Sequence, residues 1–331
     1  MNSTITSANG LQRFNYFLQQ LQAILDKAAL SDNPALFIYQ QNARTPIFML
    51  EGLSRLYKNI HNKKIFTKLN TRFKELEDLL GAVDYYDGFY KEFTEKKNMP
   101  ESILDFLKKQ KKDKLIALDK QLTDGGWTGQ DNKRMQKIAA KLAKADWLNE
   151  EDDDAAIVNC YKKDIGSIVK NVQENKIGFT DVEKDVHELR RELRWLSIYP
   201  QALRGLMQLS PATGSPDFLK KYLTNEIITS PYNKMPDDSS LQKHILLNTG
   251  YFYALSWLIA ELGKLKDNGL RLLVLKEALK SLNKMSDAEA EQQALKLSGE
   301  GQMTLYEILV QSKKISVQFF AEEIIEHLLI D

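Results

Sequence analysis

Residues 186–196 read Val-His-Glu-Leu-Arg-Arg-Glu-Leu-Arg-Trp-Leu. The apolar residues Val186, Leu189, Leu193 and Leu196 recur at helical spacing, so the stretch predicts an amphipathic α-helix. At about 100° per residue, with His187 at the origin, Arg190 falls near ~300°, Arg191 near ~40° and Arg194 near ~340°. Four basic groups therefore share one arc of about 100°, while the leucines occupy another side of the helix. Clustered cations repel and need compensation. Glu183 lies on the same arc and Glu188 and Glu192 flank it, so the compensation is internal if these pair at i,i+3 or i,i+4. The other reading is an external anion, because guanidinium forks match phosphate oxygens and an imidazole adds a further donor.

The same periodicity extends over nearly the whole chain. Leu11, Phe14, Leu18, Leu21 and Leu25 form one stripe, and Ile103, Phe106 and Leu107 begin another. The pattern predicts helices near 10–30, 34–61, 64–97, 100–121, 130–147, 152–174, 180–208, 216–228, 240–265, 269–283, 286–297 and 303–329. Ser31-Asp32-Asn33-Pro34, Asp131 and Thr180-Asp181 carry helix-start chemistry. Asp124-Gly125-Gly126, Gly178, Ser210-Pro211 and Pro236-Asp237-Asp238 carry turn chemistry. With only 16 glycines and 8 prolines in 331 residues, and no long alternating β-branched run, an all-α fold is expected.

Lys and Arg number 46 against 45 Asp and Glu, which argues against a generally basic nucleic-acid-coating protein. The balance is uneven: 24 basic and 18 acidic residues lie in 1–150, against 22 and 27 in 151–331. Eleven basic residues fall within 108–144 and are read as a solvated helix pair. The acidic tract Glu150–Asp154 reads as a helix start and marks a boundary near 149. Cys160 is the single cysteine, which excludes an internal disulfide and Cys-based metal sites. His61, His187, His244 and His327 are scattered, and no P-loop, nucleophile elbow or zincin motif occurs, so no enzyme, cofactor or metal site is expected. Residues 1–10 lack a signal-peptide pattern, and the longest apolar stretch, Tyr251–Ala260, is far short of the ~20 residues that span a bilayer, so a cytoplasmic protein without membrane contact is expected. Tyr85, Tyr86, Phe89, Tyr90 and Phe93, and likewise Tyr251, Phe252, Tyr253 and Trp257, read as packing residues rather than base-stacking platforms.

His187-x-x-Arg190-x-x-x-Arg194 on an amphipathic helix resembles the signature of the CHAD family, the conserved histidine α-helical domain. The resemblance implies two related antiparallel four-helix-type bundles with pseudo-twofold symmetry, binding inorganic polyphosphate through basic residues. It also implies a duplication. The family's Leu-Gly element resembles Leu262-Gly263-Lys264-Leu265-Lys266-Asp267, and a cognate lies at Leu80-Gly81-Ala82-Val83-Asp84. Gln41-Asn42-Ala43-Arg44 matches His187 to Arg190, with Gln41 in the place of the histidine and Phe48 in the place of Arg194; a register with Thr45 against His187 retains no basic position. The two matches differ in offset by extra chain in the second half, where 208–242 holds four of the prolines. The implied organisation is a bundle over 1–149 and another over 150–331, with an insertion near 208–242. The implied phosphate-binding set is His187, Arg190, Arg191, Arg194, Lys266 and, from the first half, Arg44. A helical scaffold that engages a protein partner and no longer binds phosphate is the alternative.

Overall fold

Asn33 accepts from the Leu36 amide, Asp181 from the Glu183 and Lys184 amides, and Ser286 and Thr304 each form a capping box, so helices start where side chains can satisfy their free amides. The computed structural model describes residues 9–129, 133–210, 216–237, 243–299 and 301–330, and twelve α-helices dominate it. The helix start read at Asp131, and the turn residues Pro211 and Asp238, lie outside the described residues, as do residues 1–8. The chain divides into two units between Cys160 and Tyr161. The acidic tract opens the helix in which this division falls, α7 (Glu150–Gln173).

The first unit contains α1 (Asn9–Ala28), α2 (Pro34–Gln40), α3 (Arg44–Tyr57), α4 (Lys63–Thr94), α5 (Glu101–Asp124), α6 (Arg134–Leu142) and the start of α7. Helix α4 packs against α3 and α5, and α1 against α2, α3 and α6. The α1 stripe delivers Phe14, Leu18, Leu21 and Leu25 to the core, where Phe14, Tyr57, Phe66 and Trp147 make mutual ring contacts. Arg13 is buried beside them. Its Nη1 donates to Asp153 at 2.6 Å and to the Tyr57 hydroxyl at 2.8 Å, and that hydroxyl donates to Asp153 at 3.0 Å. Asp153 thus leaves the solvated helix-start role expected of its tract, because an ionised guanidinium excluded from water requires a paired carboxylate.

The second unit contains the rest of α7, a π-helix (Val182–His187), α8 (Glu188–Ala202), α9 (Asn225–Ile228), α10 (Thr249–Leu282), α11 (Asp287–Ser298) and α12 (Leu305–Phe320). Helix α10 packs against the π-helix, α8, α11 and α12. Pro200, inside α8, has no amide for the Leu196 carbonyl, and the buried Tyr161 hydroxyl donates to that carbonyl instead, at 2.8 Å.

Several expected boundaries are corrected. The 34–61 helix is broken at 41–43, where Asn42 takes a left-handed φ of 52°, so Gln41 lies in a turn rather than on a signature helix. The 180–208 helix is π-helical at its start and ends at Ala202, after which Arg204 and Gly205 adopt positive φ. The segment 216–228 contains a short 3-10 turn (Asp217–Lys221) and one α turn, not a single helix. The 303–329 helix stops at Phe320. The helices expected at 240–265 and 269–283 are one helix from Thr249 to Leu282, in which Gly269 packs against Val182, and the extended residues before Thr249 form β2 (Ile245–Leu247). Strand β2 pairs in parallel with β1 (Met207–Leu209), Gln208 opposite Leu246, so the described residues are mostly helical with one small two-stranded sheet. Helices α3 and α4 are joined by 58–62, whereas α8 and α10 are separated by 203–248, which hold these strands. Among the described residues no helix is long and apolar enough to cross a membrane.

Candidate functional site

Capping chemistry sets the direction of the helix that carries the basic arc. The Asp181 carboxylate accepts from the Glu183 and Lys184 amides, each at 2.9 Å, while that of Asp185 accepts from the Thr180 and Asp181 amides. The π-helix follows, and Val182 and Val186 are buried. His187 closes it with α-helical dihedrals, φ −65° and ψ −44°, so the α-helical wheel applies from His187 onward. Leu189, Leu193, Leu196 and Trp195 are buried, which leaves the basic arc on a separate side of α8.

The structure gathers five of the predicted residues within the second unit. His187 is held to a pKa of about 4, first by desolvation and then by repulsion from Lys266, Arg191, Arg190 and Arg194. One ring therefore senses all four cations, with Lys266 reaching it from α10. Its Nδ1 is buried and has no hydrogen-bond partner among the described residues. Arg190 lies flat against α10, where Gly263 has no side chain: a Cβ there would come within 3.0 Å of Arg190 Nε. That Nε donates to the Ile259 carbonyl at 3.0 Å. Among the described residues Arg190 makes no ion pair; desolvation lowers its pKa, with the Asp267 carboxylate pulling the other way. Arg191 pairs with Glu188 at 2.6 Å, the internal i,i+3 compensation foreseen from the sequence. Lys266, mostly buried, pairs with its exposed neighbour Asp267 at 2.6 Å. Desolvation raises the Glu183 pKa, with Lys266 pulling the other way, which places that acid beside the cluster too.

Arg44, the sixth predicted residue, belongs to the first unit. It begins α3 and lies over Gly81 of α4, where a Cβ would meet Arg44 Nη2 at 3.1 Å. Two carboxylates of α4 hold it. Glu77 accepts from Arg44 Nε at 2.8 Å and lies 2.7 Å from Nη2, while Asp84 accepts from Nη1 at 3.0 Å. A recess beside this clamp is lined by Tyr39, Asn42, Arg44, Asp84 and Lys91. Next to it, burial opposes ionisation of Asp87, but hydrogen bonds from Lys111, Lys91 and Tyr39 outweigh that and hold its carboxyl at about 2.

Sequence reasoning attached no role to Glu77, Ile259 or Asp87. The α4 acids are readable as a pair one turn to either side of Gly81, a signal visible only once Arg44 is known to cross that glycine. The lysines of α5 are largely engaged: Lys109 with Asp113, Lys111 with Asp87, Lys120 with Asp124 and Lys108 with Asp105. Lys108 and Lys114 also lie over the rings of Tyr90 and Tyr86. Among the aromatic residues, Tyr86, Phe89, Phe93 and Phe252 are buried. No group of three or more His, Cys, Asp or Glu arranged to hold a metal ion occurs among the described residues. No protein-family model, curated protein or solved structure matches the chain.

Proposed function

We propose that this protein is a non-catalytic binder of inorganic polyphosphate or a related polyanion, held in the second unit by His187, Arg190, Arg191, Arg194 and Lys266. The observation that carries this reading is the convergence of four cations from α8 and α10 on one imidazole whose buried nitrogen has no partner among the described residues. Cations brought this close repel one another, and an anion offsets the repulsion with charge-assisted hydrogen bonds. Arginine over glycine in both units supports two related units, as the resemblance to the CHAD family implies, with the chain between α8 and α10 as the insertion.

Titration with long-chain polyphosphate at increasing salt tests the reading. A linear polyanion releases counterions on binding, so log K falls with log salt by roughly 0.7–0.9 per phosphate contact. Arg190→Glu/Arg194→Glu is expected to weaken binding by at least tenfold and to flatten that slope. Equal affinity and slope in both proteins would overturn the assignment. The pairing of Arg191 with Glu188 and of Lys266 with Asp267 favours a second reading, a helical scaffold for a protein partner, for which polyphosphate does not bind even at low salt.

A further inference from the structure

The two arginine–glycine contacts differ in one respect that carries chemical information. Four residues before Gly81, α4 presents Glu77, and three residues after it, Asp84; both bind Arg44. At the same steps from Gly263, α10 presents Ile259 and Lys266. The acids are thus replaced by an apolar residue and a second cation. Ile259 contributes only its backbone carbonyl, to Arg190 Nε, and among the described residues Arg190 Nη1 and Nη2 have no hydrogen-bond partner. A half-buried guanidinium whose fork is engaged by no side chain is open to an oxyanion, which would complete it with charge-assisted hydrogen bonds.

We propose that Glu77 and Asp84 are built-in substitutes for the ligand, so that the first unit is a self-filled copy of the site. In the second unit a phosphoryl oxyanion takes their place on Arg190, beside Gly263 and within reach of Lys266. This rests on the anion-binding reading above and adds the seat of the anion and the reason that one unit is closed. The recess at Arg44 is consistent with it, because that guanidinium is 40% exposed and stands beside Lys91 in a space whose charge Asp84 cancels.

The test is calorimetric titration with tripolyphosphate at low salt, comparing the native chain with Glu77→Gln/Asp84→Asn, which removes both charges at nearly constant shape. One site is expected in the native chain and two in the variant, and adding Arg44→Met is expected to abolish the second. One site in both proteins would overturn the inference while leaving the proposed function standing. No site in the native chain but one in the variant, dependent on Arg44, would overturn the proposed function and the seat on Arg190. No site in either would remove both. Lys266→Asp in the native background gives an independent readout, because it copies Asp84 into α10. It is expected to abolish tripolyphosphate binding and to raise the melting temperature by filling the site from within; loss of binding with a lower melting temperature would count against the substitution idea.

Discussion

His187 illustrates how a residue's charge state is set by its neighbours rather than by its type. In water an imidazole titrates near ~6.5, but burial and four cations hold this one at about 4. Between those values the unfolded chain binds a proton that the folded chain refuses, so the His187 contribution to stability is full above about 6.5 and is lost as pH falls towards about 4. His187→Gln is therefore expected to melt with a shallower dependence on pH across that window than the native chain. Parallel melting curves for the two proteins from neutral to mildly acidic pH would refute this environment for the ring. The presence of His187, Arg190, Arg191 and Arg194 on one arc was readable from spacing alone. Arg190's orientation was not, because a 100° wheel gives the direction of a Cα–Cβ bond and not the end of a long side chain.

Helix α10 shows the same limit at the scale of an element. Two helices, 240–265 and 269–283, are expected from the sequence, yet one helix runs through Gly269, whose missing side chain admits Val182 of the π-helix. A Cβ at Gly269 would lie 2.8 Å from a Val182 methyl group. Gly269→Ala is expected to destabilise the protein by about 1–3 kcal/mol through overpacking, despite the better helix propensity of alanine. Gly88 in α4 is the internal control, because among the described residues a Cβ there meets nothing within 4 Å. Gly88→Ala is expected to stabilise by about 0.5–1 kcal/mol. Denaturant melts of the two variants check both signs, and stabilisation by Gly269→Ala would remove the packing explanation. The break at Asn42 had no strong signal, since asparagine tolerates left-handed backbone without requiring it.

For the whole molecule, a formal net charge of +1 conceals a field that varies from place to place. If polyanion binding follows the local cluster, then equal changes in net charge at different sites have unequal effects. Lys137→Glu/Lys141→Glu, at exposed positions of α6, alters the net charge as much as Arg190→Glu/Arg194→Glu does. It is expected to change polyphosphate affinity by less than about twofold at moderate salt, where screening extends over ~10 Å. Equal losses from the two pairs, measured by the same titration, would show that the chain responds to its overall charge and has no defined site.

Sequence alone determined that the chain is mostly helical, where several helices start, and that basic residues share one arc with acids at pairing distance. These are consequences of local spacing and short-range hydrogen bonding. Tertiary structure alone decided that Arg44 is clamped by Glu77 and Asp84, that Arg190 meets a backbone carbonyl with its fork unused, and that Lys266 joins His187. Those outcomes depend on which glycine each arginine crosses and which residues lie one turn away on the partner helix. Helical periodicity in a single segment carries no information about that crossing, because it is fixed by how two helices pack.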